Sequence, residues 1–254
     1  MIAVQDLTKV YQRTAKQMKE AGSTEKSVYA VDHISFQCKP GKVFSLLGPN
    51  GAGKTTTLRM IATLLVPTSG KISVGGYDVA TQSQEVRRQL GFLTGSTQLY
   101  DRLTAAEVVK YFADLYQLDD ASFKRKKDEL FTLLGIHDFK DKRIGHMSTG
   151  MKQKVSIART MIHDPSVVVF DEPTSGLDVI SAASIIDLIH RCRAEGKTVL
   201  FSSHIMSEVD LLCDELAIIN KGKLVFEGSL DQFKALSDGQ SLTQTFIQVV
   251  TQNN

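Results

Sequence analysis

The chain has 254 residues, 42% of them hydrophobic and 23% charged, enough for one sizeable core carrying an inserted lobe. A formal net charge of +2 is too balanced for nucleic-acid binding driven by bulk charge. The three cysteines, Cys38, Cys192 and Cys213, form no Cys-x-x-Cys pair, which argues against a disulfide framework or a zinc cluster and fits free thiols in a reducing compartment. No secretory leader follows Met1. No apolar run approaches the roughly 18 residues of a spanning helix, so any membrane span is expected from another chain.

In chain order, residues Met1 to Tyr11 read as a strand and its exit. Arg13 to Ser27 is polar and without apolar period, an expected exposed insertion. Val28 to Cys38 reads as a second strand, closed by the Pro40-Gly41 turn. Val43 to Leu47 is a short apolar run of the kind found in buried parallel strands. After a glycine-rich loop, Leu58, Ile61, Ala62 and Leu65 share one helix face, and Pro67 to Gly70 is expected to end that helix. Lys71 to Asp78 reads as strand and turn.

From about Leu99 to Met147 the pattern becomes helical, with helices over Glu107 to Tyr116 and Phe123 to Leu134. The run Lys124 to Lys127 is expected to be a solvated helix face. Val167 to Phe170 is a buried strand, and Ile185, Leu188, Ile189 and Cys192 line a helix that Gly196 is placed to stop. Thr198 to Phe201 is the next strand. Asn220-Lys221-Gly222 joins Leu216 to Ile219 with Lys223 to Phe226 as a hairpin. Ser229 with Gln232 makes a capping box for a closing helix. The polar, β-branched tail after Asp238 carries no clear pattern. Strands alternating with helices imply an α/β fold with a mostly parallel sheet.

Two stretches carry chemistry. Gly48-Pro49-Asn50-Gly51-Ala52-Gly53-Lys54-Thr55 fits Gly-x-x-x-x-Gly-Lys-Ser/Thr between a buried strand and a helix. Such a loop turns backbone N–H groups onto phosphate oxygens, and the helix start adds its positive end. Lys54 would reach the β- and γ-phosphates of ATP, Thr55 would ligate Mg²⁺, and Thr56 would join the phosphate contacts. Val167 to Glu172 delivers two carboxylates at a strand's C-terminal end, where α/β sheets place ligands. Asp171 is the expected holder of the Mg²⁺ shell, and Glu172 the residue that polarises the attacking water. Together they describe a P-loop NTPase.

Further segments narrow the class. Met147 to Lys154, with Ser148 and Gly150, precedes the carboxylates and a helix carrying Val155, Ala158, Met161 and Ile162. Ser175-Gly176-Leu177-Asp178 follows the carboxylates, and His204 ends the strand Thr198 to Ser203. Over roughly residues 1 to 230 the chain resembles the ABC ATPase family. Ser148-Thr149-Gly150-Met151 stands where that family carries Leu-Ser-Gly-Gly-Gln, with Thr149 and Met151 departing from the commonest form. The resemblance implies a RecA-like core with an N-terminal antiparallel β subdomain and an inserted helical subdomain. Core and β subdomain would take residues 1–94 and 160–228, the helical part 95–159, and a C-terminal helix and tail 229–254.

It also implies that Ser148 and Gly150 bind the γ-phosphate held by a second copy, that Asp178 lies in a dimer-contact loop, that His204 senses the γ-phosphate, and that Tyr11 stacks on adenine. The family's coupling glutamine aligns with Gly95; Gln98 is close by. The implied protein is a homodimer closing on two ATP and driving a separate integral membrane permease from the cytoplasmic face, with no nucleic acid as partner. Phe92 to Ser96, Leu99 to Thr104 and Ser148 to Lys154 resemble the ATPases of bacterial two-component sodium exporters, the NatA type; another exporter is the neighbouring reading. A soluble ABC ATPase acting on ribosome or DNA usually carries two cassettes, coiled coils or zinc clusters, which this sequence lacks. A non-hydrolysing ABC-like module is opposed by the intact Lys54, Asp171, Glu172 and His204.

Overall fold

The computed structural model describes residues 1–14, 16, 18, 24–94, 99–237 and 239–252. The chain opens with two long strands, β1 (Ile2–Gln12) and β2 (Ser27–Cys38), paired antiparallel from Ile2 opposite Cys38 to Gln12 opposite Ser27. The expected insertion therefore leaves from the end of a hairpin; its residues 15, 17 and 19–23 lie outside the described residues. The strands β3 (Val43–Leu47), β4 (Ser69–Val74) and β5 (Tyr77–Asp78) follow, with helix α1 (Lys54–Ile61) after β3. Helix α1 is shorter than its apolar face suggested. Thr63 turns left-handed at φ 61°, so Leu64 and Leu65 both donate to the Arg59 carbonyl and Leu65 packs beyond the helix end.

Next come α2 (Ser83–Gln89), β6 (Leu90–Thr94), α3 (Ala105–Leu115), α4 (Asp120–Leu134) and α5 (Thr149–Met161). The strand β7 (Val167–Asp171) leads to α6 (Val179–Ala194), and β8 (Thr198–Ser203) to α7 (Met206–Leu212). The hairpin β9 (Glu215–Asn220) and β10 (Lys223–Ser229) precedes α8 (Leu230–Ala235), whose Ser229–Gln232 capping box is formed. The unpatterned tail becomes a helix, α9 (Leu242–Gln252), because Leu242, Phe246, Val249 and Val250 find the core. Among the described residues no helix is long and apolar enough to cross a membrane.

A four-stranded antiparallel sheet runs β2-β1-β4-β5, and a six-stranded sheet runs β10-β9-β3-β8-β7-β6, parallel except for β10. Alternation along the central strands feeds two cores. Val168 and Phe170 of β7 join Val43, Leu47, Val199 and Phe201 and the helices α3 to α7 on one face. Val167 and Val169 join Phe44, Leu46, Leu200 and the antiparallel sheet on the other. Burial on both faces is why β3, β7 and β8 read as mostly apolar rather than alternating. All three cysteines are buried and free.

The basic run on α4 is less solvated than its charge suggested. Lys124 and Arg125 are exposed, but Lys127 lies over the Phe123 ring, 5.4 Å from its centroid. Lys126 enters a closed ring of six charges between α4 and α6. It meets Asp164 at 3.0 Å and Glu129 at 3.7 Å; Glu129 meets Arg191; Arg191 meets Glu195 at 2.9 Å; and Lys197 meets Glu195 at 3.5 Å and Asp164 at 2.6 Å.

Candidate functional site

Three neighbouring parallel strands, β3, β8 and β7, end on the same edge and deliver the predicted residues together. Beyond β3 the glycine-rich loop wraps over the start of α1. Gly53 caps that helix at φ 114°, and a Cβ there would stand 2.3 Å from the Ala30 carbonyl oxygen. Only glycine fits such an approach. Ala30, Asn50 through Thr56 and Glu172 line a cleft of about 160 Å³.

Lys54 is 5% exposed and folds over its own loop. Its ammonium donates to the Gly48 carbonyl at 2.6 Å and the Pro49 carbonyl at 3.1 Å, and Glu172 Oε1 lies 4.0 Å away. Burial pushes this ammonium below the ordinary lysine value, while Glu172 and Asp171 pull it partly back. A bound polyphosphate stabilises the charged form. Nucleotide affinity is therefore expected to be full below the lowered Lys54 pKa and to fall as pH rises through it. Titration with a fluorescent nucleotide from neutral pH into the lysine range checks this; Lys54→Met should flatten the profile.

The Thr55 hydroxyl donates to Asp171 Oδ1 at 3.1 Å, joining the loop to the end of β7. Ser202 donates to the same oxygen at 2.7 Å and accepts from the Glu172 amide at 3.0 Å. That contact follows from register, since Asp171 lies opposite Ser202 in the β7–β8 ladder. Glu172 adopts φ +50°, a left-handed conformation uncommon for a residue with a side chain. Its Oε1 lies 3.3 Å from His204 Nδ1. One residue on, the Pro173 carbonyl accepts from Gln153 Nε2 of α5 at 3.2 Å.

Sequence reasoning missed Ser202 and Gln153. No local signal pointed to Ser202, whose place beside Asp171 follows from the pairing of β7 with β8.

The remaining predicted residues do not line this cleft. Ser148 caps α5 by accepting from the Met151 amide at 3.3 Å and is exposed. Gly150 abuts the start of α6, where a Cβ would stand 2.7 Å from Ser181 Oγ. Asp178 caps α6, accepting from the Ser181 amide and hydroxyl, both at 2.9 Å. The Ser148 turn and the Asp178 turn thus pack side by side. Tyr11 is exposed at the hairpin end, opposite Val28, with the Lys9 ammonium 5.3 Å from its ring centroid. Gly95 and Gln98 lie outside the described residues.

Comparison with known proteins gives the family and the fold. The model of the ABC transporter family matches residues 31–175, more than half of the chain. The ABC transporter ATP-binding protein NatA of Bacillus subtilis is 44% identical over 224 residues, covering 88% of this chain and 91% of that protein. A solved ATP-binding subunit of an ABC transporter superposes with a TM-score of 0.85 at 28% identity, covering 98% of this chain and 99% of the other. A dimeric ATP-binding cassette in a post-hydrolysis state with ADP and Pi shares the fold, with a TM-score of 0.78 at 24% identity over 91% and 99% of the two chains. The cradle, the carboxylate pair and these relatives lead to one conclusion: the chain belongs to the ABC transporter family and is an ATP-binding, ATP-hydrolysing subunit.

Proposed function

We infer that two copies of this chain close on two ATP molecules and that the closure drives a separate membrane permease. The observation that carries the reading is the split between the two halves of the motif set. Lys54, Thr55, Asp171 and Glu172 gather at one cleft, whereas Ser148, Gly150 and Asp178 form a separate, partly exposed surface. Ser148 at the head of α5 presents a hydroxyl and helix-end amides suited to an anion. A γ-phosphate held by the other copy is that anion. That a cassette of the same fold was solved as a dimer with ADP and Pi supports a paired assembly.

Within a site, Asn50, Gly51, Ala52, Gly53, Lys54 and Thr56 would cradle the phosphates, with Gly48 shaping the loop. Tyr11 would face the adenine. Thr55 and Asp171 are hard oxygen donors already in contact, a set that fits Mg²⁺ completed by phosphate and water. The metal would neutralise charge on the β- and γ-phosphates. Glu172 would take a proton from the attacking water, and His204 would hold Glu172 and the γ-phosphate in register. The parts played by residues 1–94 and 160–228 as core, 95–159 as helical lobe and 229–254 as closing tail follow the same reading.

Work leaves through the permease on the cytoplasmic face of the membrane. The resemblance of Phe92 to Ser96, Leu99 to Thr104 and Ser148 to Lys154 to sodium-exporter ATPases, together with 44% identity to NatA over 224 residues, supports export of sodium ions. The complex purified with its membrane partner and reconstituted in vesicles is expected to hydrolyse ATP faster with sodium than with potassium at equal ionic strength, and to accumulate sodium. Equal rates with both ions and no sodium uptake would remove the sodium assignment.

A further inference from the structure

We propose that Glu208 is a positioning residue for ATP hydrolysis, a clamp behind the reacting groups that fixes the separation of Glu172 and His204. The two side chains meet at 3.3 Å, yet each sits on a loop at the end of a different strand. Beyond the ladder, the Glu172 amide bond to Ser202 Oγ joins the bases of these loops but does not reach His204. Glu208, in the first turn of α7, ties the two loops with both carboxylate oxygens. Oε1 accepts from the Thr174 hydroxyl, two residues after Glu172. Oε2 accepts from the Ser203 hydroxyl at 2.8 Å, one residue before His204.

The Ser203 oxygen also accepts from the Ile205 amide at 3.0 Å, so the backbone on both sides of His204 converges on one hydroxyl. The ring closes through Glu172, His204, Ser203, Glu208, Thr174 and Pro173. Ser203 is 2% exposed and Thr174 8%, which keeps water from replacing either hydroxyl. Hydrogen bonds to an ionised acceptor are the stronger class. The clamp opposes two tendencies. Glu172 holds a left-handed backbone that L-residues tend to leave. His204 is exposed and lies just outside β8.

The inference rests on the roles of Glu172 and His204 given above. Glu208 touches neither of their side chains in these contacts, so its effect is on geometry. Glu208→Ala is expected to lower kcat for ATP about ten- to a hundredfold, as displacement of a reacting group by an ångström does. KM for ATP should stay within about threefold, because Lys54 and the glycine loop are untouched. Glu208→Gln keeps two polar atoms that rotatable hydroxyls can meet, and should recover most of the rate.

Steady-state kinetics of the full-length chain reads all three values, with Glu172→Gln and His204→Ala measured alongside. If Glu208→Ala fails to fold, Thr174→Val and Ser203→Ala each remove one arm of the clamp and should show the same fall in kcat at constant KM. Wild-type kcat in Glu208→Ala, or in both single-arm variants, overturns the clamp while leaving the catalytic reading intact. So does a rise in KM with kcat unchanged. Near-wild-type turnover in both Glu172→Gln and His204→Ala instead overturns the reading on which the clamp depends.

Discussion

Glu172→Gln is expected to slow ATP turnover by about 10²–10⁴-fold, the usual worth of a general base, and to hold the chain as an ATP-bound dimer. The amide has the shape of the carboxylate and keeps an oxygen that can face His204 Nδ1, now 3.3 Å from Oε1. It cannot take a proton from water. Backbone strain at φ +50° is the same for both side chains, and the Ser202 bond to the residue 172 amide is untouched, so folding should not change. Loss of the charge 4.0 Å from Lys54 removes a competitor for the ammonium, which should help the phosphates bind. Phosphate-release assays give the rate, and size-exclusion with ATP and Mg²⁺ gives the oligomer. Undiminished turnover would take the base role from Glu172. A monomer throughout, in the variant as in the parent chain, would dismantle the paired-site scheme.

Gly53→Ala should damage stability and nucleotide binding at once. At φ 114° any L-side chain is strained, at a cost of about 1–3 kcal/mol. The new Cβ would also stand 2.3 Å from the Ala30 carbonyl oxygen, which belongs to β2 and has little room to retreat. Overpacking of this kind adds about 1–3 kcal/mol. Each kcal/mol lowers Tm by about 2–4 °C in a chain of this size class. Thermal unfolding followed by circular dichroism checks the shift. Relief of the clash requires the loop to move off β2, which pulls Lys54 and Thr55 away from Asp171, so fluorescent-nucleotide affinity should fall in parallel. A variant with parental Tm and affinity would show that the loop is free to adjust.

The elements that hold the cleft were legible because they obey one pattern each. Val43 to Leu47, interrupted only by Ser45, and Val167 to Phe170 are apolar because both faces of the six-stranded sheet are covered. The hairpin at Lys221-Gly222 was legible because its turn needs positive φ at both positions, and these residues adopt 48° and 83°. Where packing overrides local preference, the sequence was harder to read. Helix α9 is uncharged and rich in Thr and Val, residues that favour strands; a Ser241–Gln244 capping pair starts it and contact with the core holds it. The short helix α7 escaped notice, and with it Glu208.

Within the site, Lys54, Thr55, Asp171, Glu172 and His204 come together as anticipated. Ser202 was missed because its importance lies in a cross-strand register that no local pattern encodes. Ser148 and Gly150 carry the opposite lesson. Their motif was readable, but the chain alone does not bring them to its own cleft, which is why their part is proposed for a paired assembly.

The six-charge ring between α4 and α6 bears on how measurements are compared. Its members are 11% to 48% exposed, open enough for dissolved ions to shield them. That part of the attachment between the two regions should slacken as electrolyte rises, whatever nucleotide is present. Rates recorded in dilute and in concentrated buffers would then differ in mechanical compliance as well as in chemistry.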